Sequence, residues 1–368
     1  MTQMTLTFDA VDEQTAGPKW HARWQRSWPA YEAWFIARGG DNGPNRADCR
    51  AAMQLYMPEM VTVYDRLVRV AGGSDRAARF LSTWCPPTYL GGCSLAAVAG
   101  KKNVRLVRNY DLSPALNEGL LLRTEWTGRA VMGMVEFLWG LSDGINDAGL
   151  TVALAYGGRA ETGQGFGVTT ILRYILETCD SVDAALAVLR RVPSHMAYNL
   201  VLADATGKTV GVELSPGGGV TVMPRAFATN HQNGLADRPG FTRSFERHAY
   251  LDELRVKPRK LKRHFLKSPL LQDRYAEGFG TLFTAEYNPK KQKLGLTLNG
   301  TVWQQSLATF REGQRIVDYA ATTSARDEAI LAEQPFWNTG PAGSNTASID
   351  WVAQANRYAK AWWSHDWQ

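Results

Sequence analysis

The sequence predicts an α+β protein, with a sheet-rich body, helices packed on it as layers, and a helical segment in front. Three observations lead there. Residues 20–84 carry helical periodicity, and the chain beyond residue 92 breaks into short apolar runs of strand length. Those runs then come as strands, helices, and strands again, whereas a doubly wound fold alternates strand and helix singly. At 368 residues the chain has room for two ordinary domains or one large one.

In the leading segment, Leu55, Met57, Met60, Val63, Tyr64, Leu67 and Val70 form a helical stripe, with Pro58 in a first turn and Gly72-Gly73 as the stop. A short helix is expected over 74–84, broken by Cys85-Pro86-Pro87. Strands are expected over 94–99, 104–109, 120–126 and 130–137, with a hairpin turn at Lys101-Lys102-Asn103. Residues 143–149 read as a turn-rich link into a strand at 150–156. Two helices follow, 168–179 and 182–191, the second capped by Ser181. Strands resume at 198–203, 209–214 and 220–223; helices are expected at 241–256 and 270–278, then a hairpin at 282–288 and 293–298.

Composition excludes several classes of function. No run of about 18 apolar residues exists, so no membrane span is expected. The opening stretch MTQMTLTFDAVDEQ is acidic where a signal peptide is basic, which predicts a cytoplasmic protein. The four cysteines, Cys49, Cys85, Cys93 and Cys179, form no CxxC pair, and the six histidines form no HExxH. Neither a disulfide framework nor a metal is expected, and no cofactor is called for. Much of the basic excess behind the net charge of +6 lies in 255–267. That run lacks interleaved aromatics, so it reads as solvated surface rather than a nucleic-acid contact. Gly163-Gln-Gly-Phe-Gly167 precedes a helix without the full phosphate-loop pattern and reads as a flexible lead-in.

The chemistry concentrates at Gly92-Cys93. A thiol is a strong nucleophile once its proton is removed. Cleavage before Cys93 would release an α-amine of pKa about 8, a suitable base. Gly92 lacks a Cβ and leaves the thiol free to approach the preceding carbonyl. Arg108 and Asp111 follow on the next strand, where alternation puts Asn109 and Asp111 on one face and Arg108 and Tyr110 on the other. Asp111 is placed to hold the new ammonium, and Arg108 to favour a thiolate or bind a carboxylate.

Gly92-Cys93-Ser94 and RNYD (108–111), ending eighteen residues after the cysteine, resemble the N-terminal nucleophile cysteine hydrolases of the choloylglycine hydrolase type. That group includes bile salt hydrolases, penicillin V acylases and autoproteolytic isopenicillin N acyltransferases. Further segments resemble it in the same order: DGINDAGLTVALAY (143–156), YNLVLADATG (198–207), ATNHQ (228–232) and LFTAEYNPKKQKL (282–294). The resemblance implies a four-layer αββα sandwich, the Ntn-hydrolase fold, with an N-terminal helical segment. It makes Cys93 the nucleophile, Asp111 the partner of its amine and Arg108 a neighbour of the thiol. Asn230 becomes the oxyanion donor. Tyr156 falls at a substrate-binding position and favours the acylase-like side. The group's late arginine corresponds to Arg243 or Arg247, which spacing leaves open. Asn109 is a further substrate-binding candidate.

The organisation implied is a helical pro-segment or small subunit at 1–92, a catalytic body at 93–325, and a tryptophan-rich extension at 326–368 packed on the body or serving a homodimer or higher homo-oligomer. Self-cleavage at Gly92-Cys93 would yield pieces of 92 and 276 residues from this chain (368 − 92 = 276). The expected partner is a small-molecule amide or acyl thioester. Two rivals stand beside this reading: an inactive scaffold or binding protein of the same fold, and a papain-like Cys93/His231 dyad.

Overall fold

The computed structural model describes residues 4–89, 91–236, 239–277 and 279–320, and the backbone of 331–332. Strand β1 (Thr5–Asp12) leads into helices α1 (Pro18–Ala37), α2 (Arg46–Tyr56), α3 (Val61–Val70) and α4 (Asp75–Ser82). Strands β2 (Gly92–Ala99), β3 (Val104–Leu112), β4 (Leu120–Thr124), β5 (Val131–Glu136), β6 (Gly140–Asn146) and β7 (Thr151–Tyr156) follow. Helices α5 (Val168–Thr178) and α6 (Val182–Arg191) precede β8 (Tyr198–Ala203), β9 (Thr209–Leu214), β10 (Val220–Val222) and β11 (Phe227–Ala228). Next come α7 (Pro239–Thr242), α8 (Ser244–Glu253), α9 (Lys262–Phe265) and β12 (Asp273–Arg274). The described chain closes with β13 (Phe279–Asn288), β14 (Lys293–Leu298), β15 (Thr301–Ser306), β16 (Gly313–Asp318) and β17 (Leu331–Ala332).

The strands form two large sheets, so the protein is of mixed α+β class. One runs β10-β9-β8-β7-β6-β5-β4-β1-β16-β17, the other β11-β2-β3-β13-β14-β15 with β12 on β13. Alternation sorts their side chains. On β7, Val152, Leu154 and Tyr156 join the apolar cluster shared with helices α1–α6, while Ala153 and Ala155 join the cluster between the sheets. Cys93, Leu95 and Ala97 of β2, with Leu106 and Tyr110 of β3, meet them there from the second sheet. Ala96 and Val107, with the opposite parity, pack under α8 and α9 with Leu251, Leu261 and Phe265. The thiol therefore lies between two sheets.

Helices α2, α4 and α6 begin where short polar side chains accept from free backbone N–H groups. Asn45 accepts from Asp48 N, Ser74 from Ala77 N, and Ser181 from Ala184 N, the last as expected. In α1 the four-residue spacing of Trp20, Trp24 and Trp28 stacks their rings at 5.5 and 4.4 Å.

Several elements depart from the sequence reading. The leading segment contains a strand, β1, which pairs parallel to β4 and antiparallel to β16. Buried Arg23 of α1 meets buried Asp9 of β1 at 3.3 Å and joins the helix to the sheet. The helix with Pro58 in its first turn is found as a 3-10 turn at Pro58–Met60 running into α3, while Leu55 of the stripe belongs to α2 and is exposed. Residues 143–146 belong to strand β6, not to a link, and the turn is left to 147–149. The helix expected at 270–278 is replaced by β12, where Asp273 pairs with Gly280. Cys85, just past the end of α4, is partly exposed and adopts φ 48°. Apart from β17, the tryptophan-rich extension lies outside the described residues.

Phe8 on β1 is fully buried between the sheets and meets Phe283 edge to face at 6.2 Å. Phe8→Ala is predicted to lower stability by about 3–5 kcal/mol in urea titration. A loss below about 1 kcal/mol would mean that the leading strand is peripheral to the core.

Candidate active site

The site is built where β2 and β3 pair. Their register sets Gly92 opposite Asp111, Cys93 opposite Tyr110 and Leu95 opposite Arg108. Cys93 and Arg108 thus share the inter-sheet face, as alternation predicts. The Arg108 guanidinium donates from Nη2 to Cys93 Sγ at 2.7 Å and from Nη1 to Asp143 Oδ2 at 2.6 Å. It lies over the Tyr110 ring at 4.4 Å, and that ring stacks on Phe283 at 5.3 Å. Asp143 arrives from the facing sheet beside an irregularity in the β5–β6 register, where Met134 pairs with Asp143 and Val135 with Leu141. Ser142 Oγ and Tyr287 Oη also donate to its carboxylate.

Asn230 sits on the loop after β11 and is held there from several sides. Its backbone N–H donates to Ser244 Oγ at 2.8 Å, and Asn199 Nδ2 donates to the carbonyls of Thr229 and His231. The side chain spans the Gly92-Cys93 junction. Oδ1 accepts from Cys93 N at 2.9 Å, while Nδ2 donates to the carbonyls of Gly91 at 3.3 Å and Tyr156 at 3.1 Å.

The two arginines left open by spacing take different positions. Arg247 of α8 is fully buried and donates to the carbonyl of Cys93, to Ser94 Oγ at 2.9 Å and to Asn230 Oδ1 at 2.8 Å. Arg243 is not brought to the thiol. It pairs with Glu246 at 2.5 Å at the exposed start of α8. Asp111 accepts from Thr281 Oγ1 at 2.7 Å through Oδ1, whereas its buried Oδ2 has no hydrogen-bond partner and lies 4.0 Å from Arg247 Nη1.

Asn109 and Tyr156 are the other expected substrate contacts. Asn109 faces the helices, donating to the carbonyls of Phe265 and Leu270 and accepting from Thr284, so its amide is spent in the core. Tyr156 reaches the site through its backbone carbonyl, and its ring packs on Tyr198 in the helix-side cluster. No hydrogen bond joins His231 to Cys93 among the described residues. His231 Nδ1 instead meets Ser244 Oγ at 2.9 Å.

Burial dominates the electrostatics. It pushes the Cys93 thiol up to about 12, since the opposing Arg108 and Arg247 charges are offset by Asp111 and Glu136. Burial also raises the Asp111 carboxyl, against Arg247, Thr281 and Arg108. His231 is driven down to about 4 by burial, with His248 and Arg247 adding to the shift. Among the described residues no three His, Cys, Asp or Glu side chains gather as a metal site requires. No described helix is long and apolar enough to cross a membrane.

Asp143, Tyr287, Ser244 and Glu136 were not singled out from sequence. Asp143 opens one of the segments already noted, and Glu136 is a lone acid in the apolar run VMGMVEF (131–137).

A buried thiol held by an arginine, an unspent carboxylate oxygen and an amide side chain across the preceding peptide are the components of thiol-dependent acyl transfer. The chain belongs to the family described as acyl-coenzyme A:6-aminopenicillanic acid acyl-transferase, whose model matches residues 98–303, more than half of its length. It is an amide hydrolase or acyltransferase. The match begins five residues beyond Cys93. Among solved structures the chain is similar to a variant of conjugated bile acid hydrolase from Clostridium perfringens, at 14% identity over 60% of this chain and 96% of that one, TM-score 0.40. It is similar to penicillin V acylase from Agrobacterium tumefaciens at 13% identity over 61% and 91%, TM-score 0.36. The Caenorhabditis elegans ortholog of N-acylethanolamine-hydrolyzing acid amidase matches at 14% identity over 54% and 93%, TM-score 0.40. No curated protein matches the chain.

A Cβ added to Gly92 would stand 2.3 Å from the Phe279 ring and 3.0 Å from the Asp111 carbonyl oxygen. Gly92→Ala is therefore predicted to cost about 1–3 kcal/mol in urea titration. Much of that loss should be relieved when Phe279→Leu is added; independent, additive losses would contradict the close approach.

Proposed function

We propose that the chain cuts itself between Gly92 and Cys93 and then works as an N-terminal nucleophile enzyme on linear amides or acyl thioesters. The observation that carries this reading is Asn230 spanning the junction, with Oδ1 on Cys93 N and Nδ2 on the Gly91 carbonyl. In the cut, Cys93 Sγ attacks the Gly92 carbonyl carbon, and the thiol proton goes to the departing Cys93 nitrogen. Water then cleaves the resulting thioester, leaving a Gly92 carboxylate, a free thiol and a free α-amine.

Each neighbour has a use in that state. The new amine, of pKa about 8, takes the thiol proton in the next attack. Asp111, whose Oδ2 accepts no hydrogen bond, receives the ammonium. Arg108 stabilises the thiolate. Departure of the Gly91 carbonyl frees one Asn230 N–H to donate to the oxyanion of an incoming acyl group. Arg247 keeps the Cys93 carbonyl and Asn230 in place, while Asn109 and Arg243 have no part in the chemistry. The two sheets with their helix layers serve as an αββα Ntn sandwich, and residues 1–92 remain as a bound subunit, anchored by β1. The family description supports an acyl thioester as donor. A soluble cytoplasmic enzyme with small-molecule substrates fits this reading.

Intact-mass analysis tests it. Wild type is predicted to resolve into pieces of 92 and 276 residues (368 − 92 = 276), and Cys93→Ala to stay whole. Asn230→Ala should slow acyl transfer by about 100-fold or more. A wild-type chain that remains uncut and consumes no thioester would overturn the proposal.

A further inference from the structure

Glu136 ends β5 in phase with Met132 and Met134, which line the space between the sheets. Its carboxyl enters that space from the sheet facing the thiol and lies within electrostatic reach of Cys93. It engages Tyr110, the residue opposite Cys93 in the β2–β3 register. Glu136 Oε1 is sealed from solvent and has no hydrogen-bond partner, although the residue as a whole is only partly buried. Cys93, Arg108, Asp111, Asn230 and Arg247 are all buried, whereas Glu136 as a residue keeps partial exposure.

Aromatic side chains lie within electrostatic reach of it. Tyr89 and Tyr198, with centroids 5.9 Å apart, both feel its charge, as does Tyr31 of α1. Phe137 follows in the chain and packs on Tyr89 at 4.6 Å. A carboxylate near aromatic rings is the chemistry that recognises an organic ammonium. Burial lifts the Glu136 carboxyl to about 7. Tyr110 and the Arg108 charge pull it back, while Glu118 and Asp143 add to the rise. It is therefore poised to exchange a proton near neutrality, which an ordinary carboxylate is not.

We propose that Glu136, with the rings of Tyr89, Tyr110 and Tyr198, forms the subsite for an amine that accepts the acyl group, and that its carboxylate is the base of aminolysis. The inference rests on the reading of Cys93 as an acyl carrier. The amine docks as an ammonium and loses one proton to solvent. Its nitrogen then attacks the acyl-Cys93 carbonyl, and Glu136 takes the second N–H proton as the C–N bond forms. The C–S bond breaks, and the thiolate beside Arg108 recovers that proton from Glu136. The products are an amide and the free thiol.

The test uses the full chain with an acyl-N-acetylcysteamine thioester as donor and benzylamine as acceptor. The readout is the ratio of amide to carboxylic acid formed. That ratio is internal to each variant and independent of how fast Cys93 is acylated. Wild type is predicted to make amide, with the ratio rising as the pH passes through about 7 and Glu136 becomes anionic. E136Q should lower the ratio by about 100-fold and flatten its pH profile, and E136D should restore part of both. Wild type that forms acyl-Cys93 but gives only acid, or E136Q with an unchanged ratio, overturns the amine subsite alone. A wild type that forms no acyl-Cys93 overturns both this inference and the reading on which it rests.

Discussion

The site depends on one buried charge. Arg108 is fully enclosed between the sheets, and its guanidinium is divided between Asp143 on one side and the Cys93 sulfur on the other. A charge taken out of water is tolerated only when its partners are close and well aligned. That requirement ties the two sheets together, because Arg108 rises from β3 and Asp143 from β6. Removing one member of such a buried pair typically costs about 3–5 kcal/mol. The register of both sheets at this point is therefore a condition of stability as well as of chemistry.

The second constraint is desolvation of the thiol. In the intact chain burial pushes Cys93 up to about 12, so it rests as a neutral thiol despite the arginine. In the proposed cycle the α-amine released by the cut supplies the base for each later attack of that thiol. Asp111 Oδ2, Asn230 and Arg247 already surround that junction, so the proposed cleavage would alter the charge of the site more than its geometry.

The strand pair carrying Cys93 and RNYD could be read from the sequence because strand parity is a local property. The faces of Arg108 and Asp111 followed from alternation alone. Ser181 declared its helix by the same local logic. Elements whose placement depends on distant partners were less accessible. Strand β1 finds its neighbours β4 and β16 across long stretches of chain. Asp143 was hidden inside a segment that looked like a turn, and its service to Arg108 depends on an irregular strand pairing. Arg243 and Arg247, four residues apart, looked equivalent on a helix. Arg243 in fact sits at the helix cap with φ 51°, outside helical register, and only Arg247 is directed inward. The tryptophan-rich extension offered composition without partners.

The most direct test of the account is the location of the acyl group. Purified protein mixed with an acyl-N-acetylcysteamine thioester and quenched in acid should carry one acyl adduct, mapped by peptide mass spectrometry to a thioester on an N-terminal Cys93. An adduct on Cys49, Cys85 or Cys179, or turnover of the donor by a chain lacking the Cys93 thiol, would contradict it.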